Sequence, residues 1–485
     1  MKIKTISVLI LLQFLFLFNV NAQDTAFNPD EIFPKDSLVK WTTELFYSLS
    51  EIHPNFYTYT SKEEFDSIIP AAFKDVTKPL KTIDFYRKIK PLYAKIGCLH
   101  TDISLNEAWR NYSESASKLV PVSVFIDDDK NVFVVDNLSD NPDLVVKSEI
   151  LAINDKPIDD IVTTLLNAIP SDGYNQTLKL YLLNFRFAFW YRTMIEFNDK
   201  FNIKIKVDDT IKTVEVKGVD KSSFPSFEEQ EKANEKQLDF EVTNGNAFLK
   251  INSFSNSAIK ENGQNFKRYL KDVFKKLNQE NIKTLVIDVR NNTGGSDSNA
   301  VLLASYFFNE PFRYWDRIEV REKIANQISG INRLFYKKPV KTKDSKNRIW
   351  LKAKLTKEFD FYEVQKPAKN TFNGDVYNLT NGLCMSSCAD FVAVLSHNKK
   401  AKTVGQETGG GYQGNTSGMM PENVVFKNLV ITTPMQKYVN FVDLKKNFGR
   451  GTIPDFKVEK TLEDRLSKKD AELEFVKSLL EKLKD

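Results

Sequence analysis

Cysteine and histidine are scarce in this sequence, and their scarcity limits the chemistry that it can support. The cysteines among its 485 residues are Cys98, Cys384 and Cys388, an odd number that allows at most one intramolecular disulfide. These cysteines and the three histidines do not fall in the close pairs that bind zinc. We therefore expect no metal site, and nothing in the sequence calls for another cofactor.

Long runs of one kind of residue are also missing. The net charge is +5, and the lysines are scattered among aspartates and glutamates, which argues against a nucleic-acid partner. Beyond the N-terminus, no segment is apolar enough to cross a bilayer. With 41% hydrophobic and 27% charged residues the chain is typical of globular proteins, and its length suits about three domains.

The N-terminus is the exception. Two lysines precede an apolar run over residues 6–18, and small residues at 20–22 offer a cleavage site before Gln23. A membrane anchor is the alternative, but the apolar run is short and Gln13 interrupts it. We interpret residues 1–22 as a signal peptide, and we expect a mature protein without a membrane span in a periplasm or outside the cell.

Residues 23–110 are predicted to form a mostly helical domain. Apolar residues at helical spacing predict three helices between residues 37 and 96, the second opened by a capping box of Ser61 and Glu64. The pattern becomes extended over residues 96–105, a stretch that contains His100.

Residues 111–220 are predicted to form a domain of short alternating strands, with a hairpin at the acidic turn 127–129. The string Ile150-Leu151-Ala152-Ile153-Asn154-Asp155-Lys156-Pro157-Ile158 resembles part of a PDZ domain. Asp155 stands where such domains usually have glycine, and aspartate tolerates the left-handed conformation. The resemblance implies a PDZ-like domain, which a polar linker follows at 222–235.

Residues 221–485 are predicted to form an α/β domain. A strand at 247–251, a helix at 266–277 and a strand at 284–289 occur in that order, which argues for a parallel sheet. The segment 312–372 is charged and aromatic without a clear period. We interpret it as an insertion or a lid and assign it no role.

A turn of small residues at 380–390 joins a strand-like run to an apolar helical segment. A serine on such a turn is held away from the backbone at a helix N-terminus, where unpaired N–H groups can stabilise an oxyanion. Serine also occurs at helix N-termini for structural reasons alone.

Three stretches together resemble the serine peptidase family of the C-terminal processing peptidases, tail-specific proteases and tricorn protease. They are residues 97–101, the string Asp288-Val289-Arg290-Asn291-Asn292-Thr293-Gly294-Gly295, and residues 381–390 with the following 404–410. The resemblance implies a ClpP/crotonase-like parallel-sheet protease core, with an N-terminal helical domain and an inserted PDZ-like domain.

The resemblance also implies a nucleophile and an oxyanion hole. It selects Ser386 as the nucleophile, with N–H groups from Ser387 and from Gly294 or Gly295 to bind the oxyanion. Catalysis by Ser387, with Ser386 as a helix cap, is the competing register.

Members of this family activate the serine with a downstream lysine or, in the tricorn-like branch, with a histidine. The lysine position is Gly411 here, so the resemblance points to His100 as the general base. Of the other histidines, His53 is explained by packing at a helix end. His397 would lie about 16 Å from Ser386 along a continuous helix, too far for contact.

The acid that orients the imidazole stays open at this point. Glu407 and Asp443 are equal candidates, and a two-residue arrangement supported by Thr101 is the alternative.

The cysteines fit the same arrangement. If His100 and Ser386 meet, Cys98 comes within reach of Cys384 or Cys388, and we predict a disulfide to one of them. Three free buried thiols are the alternative.

The sequence thus predicts an exported serine endopeptidase that cleaves peptides or C-terminal tails through an acyl-enzyme on Ser386. The PDZ-like domain would present the extended peptide substrate. A catalytically inactive binding protein on the same fold is the alternative, because the lysine is missing and the acid is unassigned. Hydrolysis by the thiol of Cys384 or Cys388 is disfavoured, because neither falls at the nucleophile position.

Overall fold

The computed structural model describes residues 27–224, 236–327, 330–334, 336–341, 346–352, 360–418 and 424–482. The predicted signal peptide at 1–22 and most of the predicted linker at 222–235 lie outside these residues. Among the described helices, none is both long and apolar enough to pass through a membrane.

The N-terminal region is helical, as its apolar periodicity predicts. Its helices are Lys35–Ser50, Lys62–Phe73, Thr82–Ala94 and Glu107–Ala116, and its short strands are Ile32–Phe33 and Leu80–Lys81. Ser61 caps the second helix by accepting the N–H of Glu64 at 3.1 Å. After residues 97–101 the strand Asp102–Leu105 pairs antiparallel with Leu429–Thr432, so that the stretch carrying His100 is joined to a distant part of the chain.

An antiparallel sheet with two helices follows. The strands are Val122–Ile126, Val132–Asn137, Glu149–Ile153, Lys156–Pro157, Lys200–Val207 and Thr210–Lys217, and the helices are Ile158–Ala168 and Thr177–Met194. Asp155 has a φ of 62°, the left-handed conformation expected for it. One cluster of buried apolar side chains continues from the N-terminal helices into this sheet, so the two regions share a core. The PDZ likeness stays a prediction.

A six-stranded sheet organises the chain from residue 236 onward. Its strands lie in the order Leu238–Thr243, Asn246–Ile251, Thr284–Asp288, Asp375–Thr380, Lys402–Gly405 and Phe456–Lys457. Only the first pair is antiparallel. The helices of this region are Asn256–Glu261, Phe266–Gln279, Asp297–Ala304 and Ser387–His397. The mixed α/β class is therefore confirmed. Because Thr284–Asp288 and Asp375–Thr380 are parallel neighbours, the loops after them leave the sheet at the same edge.

The segment 312–372 contributes strands to a second sheet. This sheet runs in the order Tyr336–Lys341, Asn347–Lys352, Trp315–Arg321, Gln436–Asn440 and Gly414–Ser417. A separate small pair is formed by Phe312–Arg313 and Val364–Gln365. The segment thus shares a sheet with Gly414–Ser417, a strand that lies beside the site described below.

The chain closes with the helices Leu462–Ser467 and Ala471–Lys482. Val476 and Leu480 pack against Val286 and Tyr377 of the parallel sheet. The remaining short elements are the strand Val424–Phe426, the helix Glu322–Ala325 and the 3-10 turns Lys221–Ser223, Ser305–Phe307, Gly330–Leu334 and Asp360–Tyr362.

Candidate active site

Ser386 stands at the N-terminus of the helix Ser387–His397, directly after a central strand of the parallel sheet. Its backbone has φ 51° and ψ −133°, a conformation that costs free energy for a residue with a side chain and is frequent at functional sites. Ser386 is partly exposed, whereas Ser387 is fully buried and its Oγ has no hydrogen-bond partner within the described chain. This geometry favours Ser386 over Ser387 as the nucleophile.

Gly294 lies against Ser386. Its φ is 100°, and a Cβ placed on it would come within 2.8 Å of Ser386 Cβ and 3.0 Å of the Met385 carbonyl oxygen. Only a residue without a side chain fits this contact.

The backbone N–H groups around Ser386 differ in their availability. Gly294 donates its N–H to Asn292 Oδ1 at 2.9 Å, so this group is occupied. In the described part of the chain, no acceptor takes the N–H of Gly295 or that of Ser387. Of the two glycines that the sequence left open, Gly295 is therefore the better candidate to bind an oxyanion together with Ser387.

Buried asparagines hold the glycine-containing loop against the serine turn. Asn292 is fully buried, donates its amide to the Ile251 carbonyl at 3.1 Å and accepts the N–H of Met385 on its own carbonyl at 3.3 Å. Asn381 Oδ1 accepts the N–H of Asn291 at 3.1 Å, and Asn381 Nδ2 donates to Asn291 Oδ1 at 2.8 Å. These contacts set the distance between the two loops, a role that sequence reasoning did not assign.

Arg290 ties the same loop to the C-terminal part of the chain. Its guanidinium donates to both oxygens of Asp288, at 2.9 and 2.7 Å, and to both oxygens of Asp470, at 2.6 and 2.8 Å. It also reaches Glu472 at 3.1 Å. The start of the last helix, Ala471–Lys482, thereby supports the loop through paired, geometrically specific contacts.

His100 lies in an enclosed setting beside the strand Gly414–Ser417. Burial lowers the pKa of His100 to about 4, and a hydrogen bond to the backbone carbonyl of Thr416 opposes this effect. Its Nδ1 is buried without a hydrogen-bond partner among the described residues. The imidazole is therefore neutral at physiological pH, as a general base must be, and it is not hydrogen-bonded to Ser386 in this structure.

Asp172 connects the stretch around His100 to the serine turn, and sequence reasoning missed it. Its two carboxylate oxygens accept the N–H of Leu99 at 3.0 Å and the N–H of Gly411 at 3.1 Å. Gly410, the neighbour of Gly411, is so close to the serine turn that a Cβ on it would lie 3.0 Å from the Ser386 nitrogen. Burial raises the pKa of Asp172 to about 6, although both hydrogen bonds favour the charged form.

Neither candidate acid contacts His100. Glu407 is bound by Arg450, and its Oε1 also accepts the N–H of Gly451 at 2.7 Å and the amide of Asn175 at 3.0 Å. It joins two loops, and in this structure it forms no hydrogen bond with His100.

Asp443 is exposed and lies at the far end of the Ser387–His397 helix. Its backbone N–H donates to His397 Nδ1 at 3.3 Å, and its carboxylate accepts the N–H of Lys445 at 2.9 Å. Among the described residues, the group that acts on the His100 imidazole and raises its pKa is the Thr416 backbone rather than a carboxylate. Thr101 gives no side-chain support, because its buried hydroxyl has no partner within the described residues.

Asp390 is a second buried carboxyl group that the sequence did not reveal. It lies one helical turn after Ser386 and accepts the amides of Asn415 at 2.8 Å and Asn440 at 3.0 Å. Burial raises the pKa of Asp390 to about 8, with a further increase from Asp297 and opposition from the two amides. Because Asn415 precedes Thr416, Asp390 links the serine helix to the strand that contacts His100.

The three cysteines are free and buried, so the predicted disulfide is absent. Cys98 Sγ contacts the Thr416 carbonyl at 3.6 Å, whereas Cys384 and Cys388 approach the Val289 carbonyl at 3.0 and 3.8 Å. Cys98 thus faces a different strand from the other two. Burial raises the pKa of the Cys98 thiol to about 12, which makes it unreactive.

The chain was compared with known families and structures. Residues 245–458 match the model of peptidase family S41. The structure of mature CPAF is 14% identical over 92% of this chain and 97% of its own, with a TM-score of 0.60. Mature CPAF complexed with lactacystin is 15% identical over 92% of this chain and 98% of its own, with a TM-score of 0.61. At these identities the likeness shows the fold alone. No curated protein matches the sequence.

A parallel α/β core with a strained serine at a helix N-terminus, together with the family match, defines a serine-type peptidase. Through residues 245–458 the chain belongs to peptidase family S41, the family of the C-terminal processing peptidases. The predicted family and enzyme class are therefore confirmed, and peptides or proteins are its substrates.

Proposed function

We propose that the protein is an exported serine endopeptidase that cleaves peptides or C-terminal tails, with Ser386 as nucleophile and His100 as general base. The observation that carries this proposal is the strained Ser386, packed against Gly294 and next to the free N–H groups of Gly295 and Ser387. Export is supported by the residue pattern at 1–22 alone.

In the proposed reaction, His100 takes the proton of Ser386 Oγ while this oxygen bonds to the carbonyl carbon of the substrate. The carbonyl oxygen becomes negative and accepts the N–H groups of Gly295 and Ser387. The imidazolium then gives its proton to the leaving amine as the C–N bond breaks, which leaves an acyl ester on Ser386. Water, deprotonated by the same imidazole, hydrolyses this ester.

Because His100 is not hydrogen-bonded to Ser386 in this structure, the proposed reaction requires the two loops to move together. Catalytic hydrogen bonds are often long in substrate-free enzymes and shorten when substrate binds. We propose that substrate draws residues 97–101 toward the serine turn. Asp172 supports this proposal, because it already ties Leu99 to Gly411 near Ser386.

A fluorophosphonate probe tests the nucleophile and the base. We expect covalent labelling of the wild type, none in Ser386→Ala, normal labelling in Ser387→Ala, and labelling about 100- to 10,000-fold slower in His100→Ala. Labelling that survives in Ser386→Ala would contradict the assignment of the nucleophile. An unlabelled but folded wild type would support an inactive binding protein, which the family assignment does not favour. N-terminal sequencing of the mature protein should begin at Gln23.

A further inference from the structure

A partly buried lysine lies next to the candidate base. Lys437 is directly opposite Thr416 in the antiparallel pair Gln436–Asn440 and Gly414–Ser417. Residues paired in this way have their Cβ atoms about 5 Å apart. The Thr416 backbone is the group that acts on the His100 imidazole. Lys437 therefore lies directly across the strand pair from the residue that contacts the candidate base.

The charge of Lys437 has no direct counter-ion in the described part of the chain. Its ammonium donates to Asn55 Oδ1 at 2.9 Å, and no described carboxylate forms an ion pair with it. Glu319 lies directly opposite Lys437 in the antiparallel pair Trp315–Arg321 and Gln436–Asn440 and attracts the ammonium without forming an ion pair with it. Arg317 and Asn347 hold the Glu319 carboxylate at 2.7 and 2.9 Å. Burial lowers the pKa of Lys437, with Glu319 opposing. Removing an ammonium from water without a directly bound carboxylate costs free energy. An anion that binds from solution would offset this cost.

Lys437 lines a cavity of about 130 Å³. A water molecule takes up about 30 Å³, so the cavity has room for a carboxylate group and the carbons that bear it. Asp172 also lines the cavity, but its oxygens are bound to the N–H groups of Leu99 and Gly411. Arg317 lines the cavity as well, but its guanidinium is bound to Asp316 and Glu319. Lys437, which no described carboxylate binds directly, is thus the cation available to an incoming anion.

Part of the cavity lining is apolar and open to solvent. Tyr59, Leu444 and Phe448 line it, and the last two are 40% and 53% exposed. The rings of Tyr59 and Phe448 lie 5.7 Å apart, which forms a rim that can cover the carbon chain of a bound residue. The lysine can bind a carboxylate, and the apolar rim can cover the aliphatic carbons that carry this carboxylate.

We propose that this cavity is a substrate subsite that binds a carboxylate through Lys437, with Tyr59, Leu444 and Phe448 as its apolar rim. The carboxylate belongs either to an acidic side chain or to the C-terminus of a peptide. The subsite rests on the proposed function, because a cavity beside His100 serves a peptide that is bound for cleavage.

Peptide binding is measured by fluorescence anisotropy with the full-length Ser386→Ala protein, which requires no catalysis. One arm uses a labelled alanine-rich decapeptide in which a single glutamate is moved along the chain, with a glutamine counterpart at each position. The other arm compares free and amidated C-termini. We expect the charged member of one arm to bind about 10- to 100-fold more tightly, and this arm identifies the source of the carboxylate.

The preference should disappear in Lys437→Met and persist in the control Lys445→Met, which removes the same charge from an exposed site. Equal binding of charged and neutral peptides, or a preference that survives in Lys437→Met, would overturn the subsite. Fluorophosphonate labelling of the wild type tests the proposed function separately. Failure of the subsite proposal and failure of the proposed function can therefore be distinguished.

Thermal unfolding separates recognition from a structural role. Lys437→Met should leave Tm unchanged or raise it, because the variant removes a buried ammonium without a carboxylate partner. A lowered Tm together with an unchanged peptide preference would assign Lys437 a structural role only and overturn the proposal.

Discussion

The low pKa of His100 predicts an unusual pH dependence of activity. A base must be unprotonated, and burial lowers the pKa of His100 to about 4. At pH 5 such a base is about 90% unprotonated, whereas a histidine with the ordinary pKa of about 6.5 is only about 3% unprotonated. The structure therefore predicts that kcat/KM falls with a midpoint near pH 4, and that activity at pH 5 is about 30-fold higher than an ordinary histidine would allow.

The assay is kcat/KM for a quenched fluorescent peptide between pH 3.5 and pH 8 (about the range that brackets both pKa values), with circular dichroism at each point to confirm folding. Rates of fluorophosphonate labelling over the same range give a second profile, and His100→Ala should remove the acid limb. A midpoint near pH 6.5 in wild-type protein that remains folded would refute the reasoning, because it would show an exposed imidazole or a different base.

The protein must stay folded at acidic pH for this test to work. Two buried titratable groups, whose contributions to stability change with pH in opposite directions, make this possible. The pKa of His53 in the folded protein is lowered to about 3, mainly by burial. As pH falls below about 6.5, His53 is protonated in the unfolded chain but not in the folded one, so the folded state loses stability. By pH 5 this loss is about 2 kcal/mol. Asp390 acts in the opposite direction: its pKa is raised, the native state holds the proton more tightly, and stability is gained as pH falls below about 8. The two effects offset each other.

Three further predictions concern the loops around the site. Gly294→Ala should slow fluorophosphonate labelling about 100-fold or more, because its Cβ would overlap Ser386; a wild-type rate would show that the two do not touch. Glu407→Gln should lower the free energy of unfolding by about 1–3 kcal/mol in urea by weakening the contact with Arg450, while the acid midpoint of activity stays fixed. A shifted midpoint would restore Glu407 as the acid that orients the imidazole. After unfolding without reductant, iodoacetamide should alkylate three thiols, and a mass two adducts lower would reveal a disulfide between two of them.

The sequence predicts local structure well, because local signals determine it. The apolar periodicity, the Ser61 cap and the small-residue turn at Ser386 each act over a few residues, and the elements predicted from them begin and end close to the observed positions. The helix Thr177–Met194 was not predicted. The two loops that contribute Ser386 and Gly294 could be brought together from their family resemblance alone.

The partners of the polar side chains could not be predicted, because they depend on tertiary pairing. Asp172 bonds residues 73 positions before it and 239 positions after it, and no spacing along the chain indicates either partner. Glu407 was one of two candidates to orient His100, whereas in the structure its carboxylate is bound by Arg450. The disulfide prediction failed for the same reason: closeness of two loops does not fix which side chains face each other.

These buried polar contacts explain how a site assembled from distant segments keeps its geometry. His100 belongs to a region whose core includes the N-terminal helices, whereas the turn of Ser386 belongs to the separate core of the parallel sheet. Apolar packing is non-directional and would leave the angle between these regions loosely set. Asp172 accepts one N–H from each side and so limits how far the two regions can separate, while it leaves room for the movement that substrate binding requires. Burial of the Asp172 carboxylate, which raises its pKa to about 6, is the free-energy cost of this directional contact. Selection for a fixed distance between base and nucleophile would therefore act on Asp172 and Asn415 more than on the apolar residues around them.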